Sequence, residues 1–318
     1  MAEPVVLTEG LTKYYGRSRG IMDLSFGVNR GETFGLLGPN GAGKTTTIRI
    51  LLGLLSPTRG RARVLGLDAV SDSLKVRRRV GYLPGEAGFW GHLTGEQFLD
   101  FCCGLRRTRP PRVRRAELAR ALDADLARPL RQLSRGMKQK VALIQALEHD
   151  PELVFLDEPT AGLDPLVQHS VLELLAAERS RGRTVFLSSH NLAEVERVCD
   201  RVGIVREGRL VAVEGVAELK RRHMRRLEVT FAQDVPAAAL RPEGVRSLSG
   251  SGRQYTLMVA GNISGVLRCL SQFPIEAMTF QEATLEEIFL EFYAGEAAGA
   301  GRPGAPAGGA ALSGGGPR

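Results

Sequence analysis

The stretch Gly38-Pro39-Asn40-Gly41-Ala42-Gly43-Lys44-Thr45 constrains this chain more than any other. It follows the apolar run at 33–37 and opens a segment with apolar residues at Ile48, Leu51, Leu52 and Leu55, the spacing of one helical face. A strand, a glycine-rich turn and a helix in that order make a phosphate cradle. Glycines let backbone N–H groups turn inward around a polyphosphate, and the helix N-terminus adds positive potential. Lys44 can reach the β- and γ-phosphates, and the hydroxyl of Thr45 can hold Mg2+.

A second apolar run, 153–156, ends in Asp157-Glu158. Parallel strands place ligands at their carboxyl ends, so these acids are predicted to face the same phosphates. Asp157 suits a Mg2+ shell, through water, because magnesium keeps most of its waters. Glu158 is then free to orient and polarise an attacking water. Around these segments the pattern predicts antiparallel strands in the first thirty-odd residues and mainly helix over 86–150, with a capping-box spacing at Thr94 and Gln97. Helices at 167–180 and 191–199 alternate with strands at 184–187 and 202–205, and a hairpin turns at Glu207-Gly208 into 209–213. That alternation predicts parallel βαβ units.

Between the two phosphate-directed segments lies Leu133-Ser134-Arg135-Gly136-Met137-Lys138-Gln139-Lys140, a serine-capped helix start followed by a stripe at Val141, Ile144 and Leu147. With these three segments in this order, the chain resembles an ATP-binding cassette (ABC) ATPase over about residues 5 to 215. The resemblance implies that ATP and Mg2+ are bound by the loop from Gly38 to Thr45 together with Thr46, with Lys44, Glu158 and His190 carrying catalysis. It implies Thr45 and Asp157 as metal residues and Tyr15 as the aromatic that stacks on adenine. It also implies Ser134, Arg135, Gly136 and Met137 as the signature that meets the ATP of a partner subunit, and Asp164 as the D-loop acid. Successive strand residues face opposite sides, so only one of Tyr14 and Tyr15 can stack.

Two departures from the family pattern stand out. Gly85 occupies the position where a glutamine is usual, with Glu86 next to it or a water as the candidate substitutes, and the signature reads LSRGM. The extra charge on Arg135 is expected either near phosphate or, preferably, out in solvent.

The resemblance further implies a head-to-tail pair of cassettes, a homodimer or heterodimer, with ATP between them. It implies an integral membrane permease as partner, because no run approaches the ~18 apolar residues of a membrane helix. The opening residues show no secretory pattern, and the four cysteines have no metal spacing. A cytoplasmic protein, peripheral on the inner face of the membrane, is expected. Net charge is +8, with arginines crowded between Arg106 and Arg135. That segment is expected to be either a solvated face or a contact for acidic loops or anionic lipid. Nucleic acid is not an expected partner. A non-transport ABC ATPase acting on ribosomes or nucleic acid is the alternative, disfavoured by the single phosphate loop and the lack of sustained heptads.

The expected architecture is α/β. A P-loop core of mixed sheet, with an antiparallel β subdomain and a helical insert, spans 1–223. A small ferredoxin-like α+β domain follows over 224–293, with strands at 227–231, 245–248, 255–259 and 275–280. Helices are expected at 236–240, 264–272 and 285–292, the last led by Thr284. This order resembles ATPases paired with ABC-2-type exporter permeases. Residues 294–318 are almost wholly Gly, Ala, Pro and Ser; they bury too little apolar area to offset the entropy of ordering and are expected to form a flexible tail.

Overall fold

The structure, a computed structural model, describes residues 4–108, 112–222, 225–259 and 263–281. The chain divides into two units, Met1–Arg222 and His223–Arg318.

The first unit begins with β1 (Val6–Tyr15) and β2 (Ser18–Val28), an antiparallel pair. Next come β3 (Thr33–Leu37), α1 (Lys44–Leu51), β4 (Arg59–Val64) and β5 (Leu67–Asp68). Strands β2-β1-β4-β5 form one antiparallel sheet in that order. After α2 (Ser73–Arg79) and β6 (Val80–Leu83) comes the helical insert, with α3 (Gly95–Arg106), α4 (Arg112–Ala121), a single 3-10 turn at Leu130–Gln132 and α5 (Arg135–Leu147). The remainder alternates: β7 (Leu153–Asp157), α6 (Pro165–Ser180), β8 (Thr184–Ser189), α7 (Leu192–Val198), β9 (Arg201–Arg206), β10 (Arg209–Gly215) and α8 (Val216–Arg222).

The central sheet runs β10-β9-β3-β8-β7-β6, parallel throughout except for β10. Strands β3, β7 and β8 are buried at every position, which is why they read as continuous apolar runs rather than alternating ones. The hairpin into β10 turns at Glu207 (φ 47°) and Gly208 (φ 75°), the double left-handed turn that matches strand twist. Phe26 of β2, Phe34 of β3 and Phe186 of β8 pack as a triangle, with ring centroids 5.5 Å from Phe34 to each of the other two and 6.2 Å between those. One aromatic cluster thus fastens the antiparallel sheet to the central sheet. The sequence pattern gave no warning of α2, β4, β5 or α8, which are short and lack a sustained period.

Arg106–Arg135 is only partly a solvated face. Arg114 is buried in an ion pair with Glu178 of α6. Arg115 binds Glu148 at 2.7 Å and Asp100 at 2.6 Å, and Arg106 donates to the carbonyls of Arg77 and Val80. Those arginines bind the insert to the core, whereas Arg107, Arg112, Arg120, Arg128 and Arg131 remain exposed. The predicted capping box is present, with Thr94 Oγ1 accepting from the N–H of Gln97 and Gln97 Oε1 accepting from that of Thr94.

The second unit contains β11 (Arg225–Phe231), β12 (Val245–Ser251), β13 (Gln254–Val259), α9 (Ile263–Leu270) and β14 (Ile275–Gln281). Its antiparallel sheet is ordered β12-β13-β11-β14, the order of two interleaved split βαβ units, as in the ferredoxin-like fold. Alternate residues Leu227, Val229 and Phe231 point into a core completed by Tyr255, Leu257, Val266 and Leu270. The helix expected at 236–240 is instead one 3-10 turn, Ala237–Leu240. Between Pro236 and Pro242 the segment is too short to nucleate an α-helix. The helix expected at 285–292 and the tail at 294–318 lie outside the described residues.

Candidate active site

Register brings the site together. In the parallel ladders Leu37 pairs with Ser189, and Asp157 with Ser188, so β3, β7 and β8 deliver their carboxyl ends side by side. The loop leaving β3 closes on Gly43, at φ 103°, where a Cβ would collide with the Ile21 side chain; only glycine fits. Helix α1 then starts with no capping side chain and no acid in its first turn. Its free N–H groups and positive end are left for an anion.

Lys44, buried, donates to the carbonyls of Gly38 (2.6 Å) and Pro39 (3.2 Å), and its Nζ lies 3.0 Å from Glu158 Oε1. Thr45 Oγ1 donates to Asp157 Oδ1 at 3.1 Å, and Ser188 Oγ donates to the same oxygen at 2.6 Å. The paired oxygens of Thr45 and Asp157 are hard donors of the kind magnesium takes, so these residues fit the metal that the phosphate loop implies. Glu158 has φ 51°, a left-handed conformation that costs a non-glycine residue about 1–3 kcal/mol. Its N–H reaches both the carbonyl and the hydroxyl of Ser188, and its Oε2 lies 2.6 Å from His190 Nδ1. β8 therefore holds the strained residue from behind while His190, one residue past the same strand, holds it in front.

An open pocket of about 360 Å3 is lined by Tyr15, Arg19, Gly20, residues 40–46 and Glu158. The two tyrosines separate as strand geometry requires. Tyr15 faces this pocket with its hydroxyl 3.3 Å from Thr46 Oγ1, while the Tyr14 hydroxyl donates to Met22 Sδ. No role for Arg19, Gly20 or Ser188 is read from the sequence. Ser188 alone had a signal there, standing two residues before His190.

The signature start lies apart from this pocket. Ser134 caps α5, its Oγ accepting from the N–H of Met137 at 3.2 Å. Asp164 caps α6 by accepting from Val167 N–H at 3.1 Å. Gly136 packs beside Asp164 and Val167. Arg135 is exposed, and its guanidinium lies against Gly162. Gly85 stands beside Asp157, a Cβ there falling 3.6 Å from Oδ2, whereas Glu86 is exposed and does not line the pocket. Tyr82, just before them, has its phenol pKa raised by burial and by the Asp157 charge.

A family model described as ABC transporter matches residues 21–161. The daunorubicin resistance ATP-binding protein DrrA3 of Streptomyces coeruleorubidus is 36% identical over 303 residues, spanning 91% of this chain and 96% of that protein. The chain belongs to the ABC transporter ATP-binding proteins. An uncharacterized ABC transporter ATP-binding protein of Synechocystis is 45% identical over 202 residues, 62% of this chain but only 56% of that relative's length. A solved ATP-binding subunit of an ABC transporter superposes with a TM-score of 0.62 at 32% identity, covering 68% of this chain and 92% of the other. In this ABC protein the family match takes in β3, the phosphate loop, the signature helix and the Asp157-Glu158 strand end.

Proposed function

We propose that this chain binds Mg·ATP in the pocket between Tyr15 and Glu158 and hydrolyses it to drive export through a separate membrane permease. One observation carries the reading: Lys44, Thr45, Asp157, Glu158 and His190, from three distant stretches of sequence, converge at adjacent strand ends. Tyr15 stacks on the base, the loop N–H groups bind the phosphates, and Lys44 meets the terminal ones. Thr45, and Asp157 through water, would hold Mg2+, which would supply charge neutralisation to the phosphates. Glu158 orients the attacking water, and His190 fixes the Glu158 carboxylate and stabilises charge developing at phosphorus.

Ser134 and Gly136 lie outside the chain's own pocket, which supports a second cassette supplying them across a two-fold interface. A groove of about 330 Å3 lined by Leu52, Leu54, Tyr82, Pro84, Trp90 and Phe98 has the apolar walls that an amphipathic helix of the permease would fill. No helix among the described residues is long and apolar enough to cross a membrane. The exposed arginines of the insert support a further contact with anionic headgroups at the membrane face. Export is favoured by a relative named as a fluoroquinolones export ATP-binding protein in Mycobacterium tuberculosis, 32% identical over 292 residues.

The test is purification of the tagged protein from native membranes in mild detergent. Mg-dependent phosphate release from ATP, abolished by Lys44→Ala, and an integral membrane protein in the same fraction are expected. Absence of ATP hydrolysis both alone and with the co-purified component would overturn the proposal. Equal binding to neutral and anionic vesicles would remove the lipid contact.

A further inference from the structure

Helix α5 grips the segment after Glu158 at two points. Gln139 Nε2 donates to the carbonyl of Pro159 at 3.0 Å. Arg135, four residues earlier and so on the same helical face, lays its guanidinium across Gly162. A Cβ placed on Gly162 would meet Arg135 Nη1 at 2.7 Å, Cζ at 2.8 Å and Nη2 at 3.1 Å, the near-equal distances of a plane met face-on. Gly162 also sits at φ 68°, so its missing side chain serves both the backbone and the stacked plane. Among the described residues Arg135 makes no ion pair, so no carboxylate dictates this placement.

The gripped segment has little slack. The N–H of Ala161 donates to the Glu158 carbonyl and that of Leu163 to the Thr160 carbonyl, each at 3.2 Å. These successive turns carry any shift of Gly162 back to Glu158, whose backbone is already held in a left-handed conformation.

We propose that Arg135 is a positioning residue. Together with Gln139 it clamps residues 159–162 to α5, so that the signature start and Glu158 of the same chain move as one body. This rests on the two-cassette reading above. A partner's nucleotide closing on Ser134 and Gly136 thereby sets the carboxylate of the chain's own site, and the two sites of a pair act cooperatively. The flat guanidinium is essential to the clamp, because a lysine ammonium cannot lie as a plane on the Gly162 backbone.

The experiment compares Arg135→Ala, Arg135→Lys and Gln139→Ala with the unaltered full chain. It measures hydrolysis against ATP concentration and hydrogen exchange over residues 158–163. In Arg135→Ala, kcat should fall between about tenfold and a hundredfold, as for displacement of a catalytic group by an ångström or less. KM should change less than about twofold, because the interaction acts in the transition state. The Hill coefficient should drop towards one, and exchange at the Ala161 and Leu163 amides should rise. Gln139→Ala should act in the same direction, and Arg135→Lys should not restore the wild-type values. Unchanged kcat, cooperativity and exchange in Arg135→Ala would overturn the clamp. Full rescue by Arg135→Lys would also overturn it, pointing to a point charge on phosphate instead. If the unaltered protein hydrolyses no ATP, the two-cassette reading fails separately, and the exchange comparison alone decides the clamp.

Discussion

Lys44 Nζ lies 3.0 Å from Glu158 Oε1, while the carbonyls of Gly38 and Pro39 take up its remaining donors. An ammonium has three protons to give, and here the protein itself provides three acceptors. A phosphate that reaches Lys44 must therefore compete with Glu158, the same carboxylate that is placed to work on water. Glu158→Gln keeps the shape and removes the competing charge. The expected result is tighter binding of ATP, read by titration, with turnover lower by about 10²–10⁴-fold, the usual contribution of a positioned base.

Tyr15 offers a ring at the pocket mouth and is 48% exposed, so truncating it should cost binding and leave the fold intact. Tyr15→Ala should weaken ATP affinity by about 1–3 kcal/mol, the range for stacking of a base on an aromatic side chain. Tyr15→Phe should bind nearly as well as the unaltered protein, since the hydroxyl contact to Thr46 is long, at 3.3 Å. Nucleotide titration of both variants checks the pair.

Glu178 is the buried centre of an ionic cluster. It pairs with Arg114 from the insert and, at 2.6 Å, with Nε of Arg183, while Arg183 also binds Asp150. Glu178→Ala leaves two buried guanidinium groups without their shared carboxylate, a loss of about 3–5 kcal/mol by analogy with other broken buried pairs. Denaturant unfolding should show it, and Glu178→Gln should recover only part of the loss.

His149 is half-buried beside Arg106, and desolvation first, then that positive charge, lowers its pKa to about 4. In the unfolded chain it titrates near 6.5, so between about pH 6.5 and 4 the unfolded state binds the proton that the folded state refuses. The stability this neutral imidazole permits is complete above pH 6.5 and is lost as pH falls towards 4, on the order of 3 kcal/mol in total. His149→Gln should flatten the fall in melting temperature over this window relative to the unaltered protein. Parallel pH curves for the two would refute the assignment.

How much of this was legible depends on the range over which each signal acts. Gly38 to Thr45 marks its own function because strand, turn and helix are local, and Asp157-Glu158 is conspicuous because a buried strand ends in two charges. The capping box at Thr94 and the alternation in β11 are legible for the same reason. Arg114 and Arg115 were not legible as buried partners, since a charged residue looks the same in sequence whether it meets water or a carboxylate.

The sequence alone determined the phosphate cradle, the order of its acidic and signature partners, and the alternation that builds a parallel sheet, all of which follow from spacing along the chain. Only the tertiary structure decided that Asp157 levels with Ser188, that Glu158 is strained and shared between Lys44 and His190, and that Arg135 rests on Gly162. Those relationships depend on strand register and on packing between segments far apart in sequence, and no local pattern of residues encodes either.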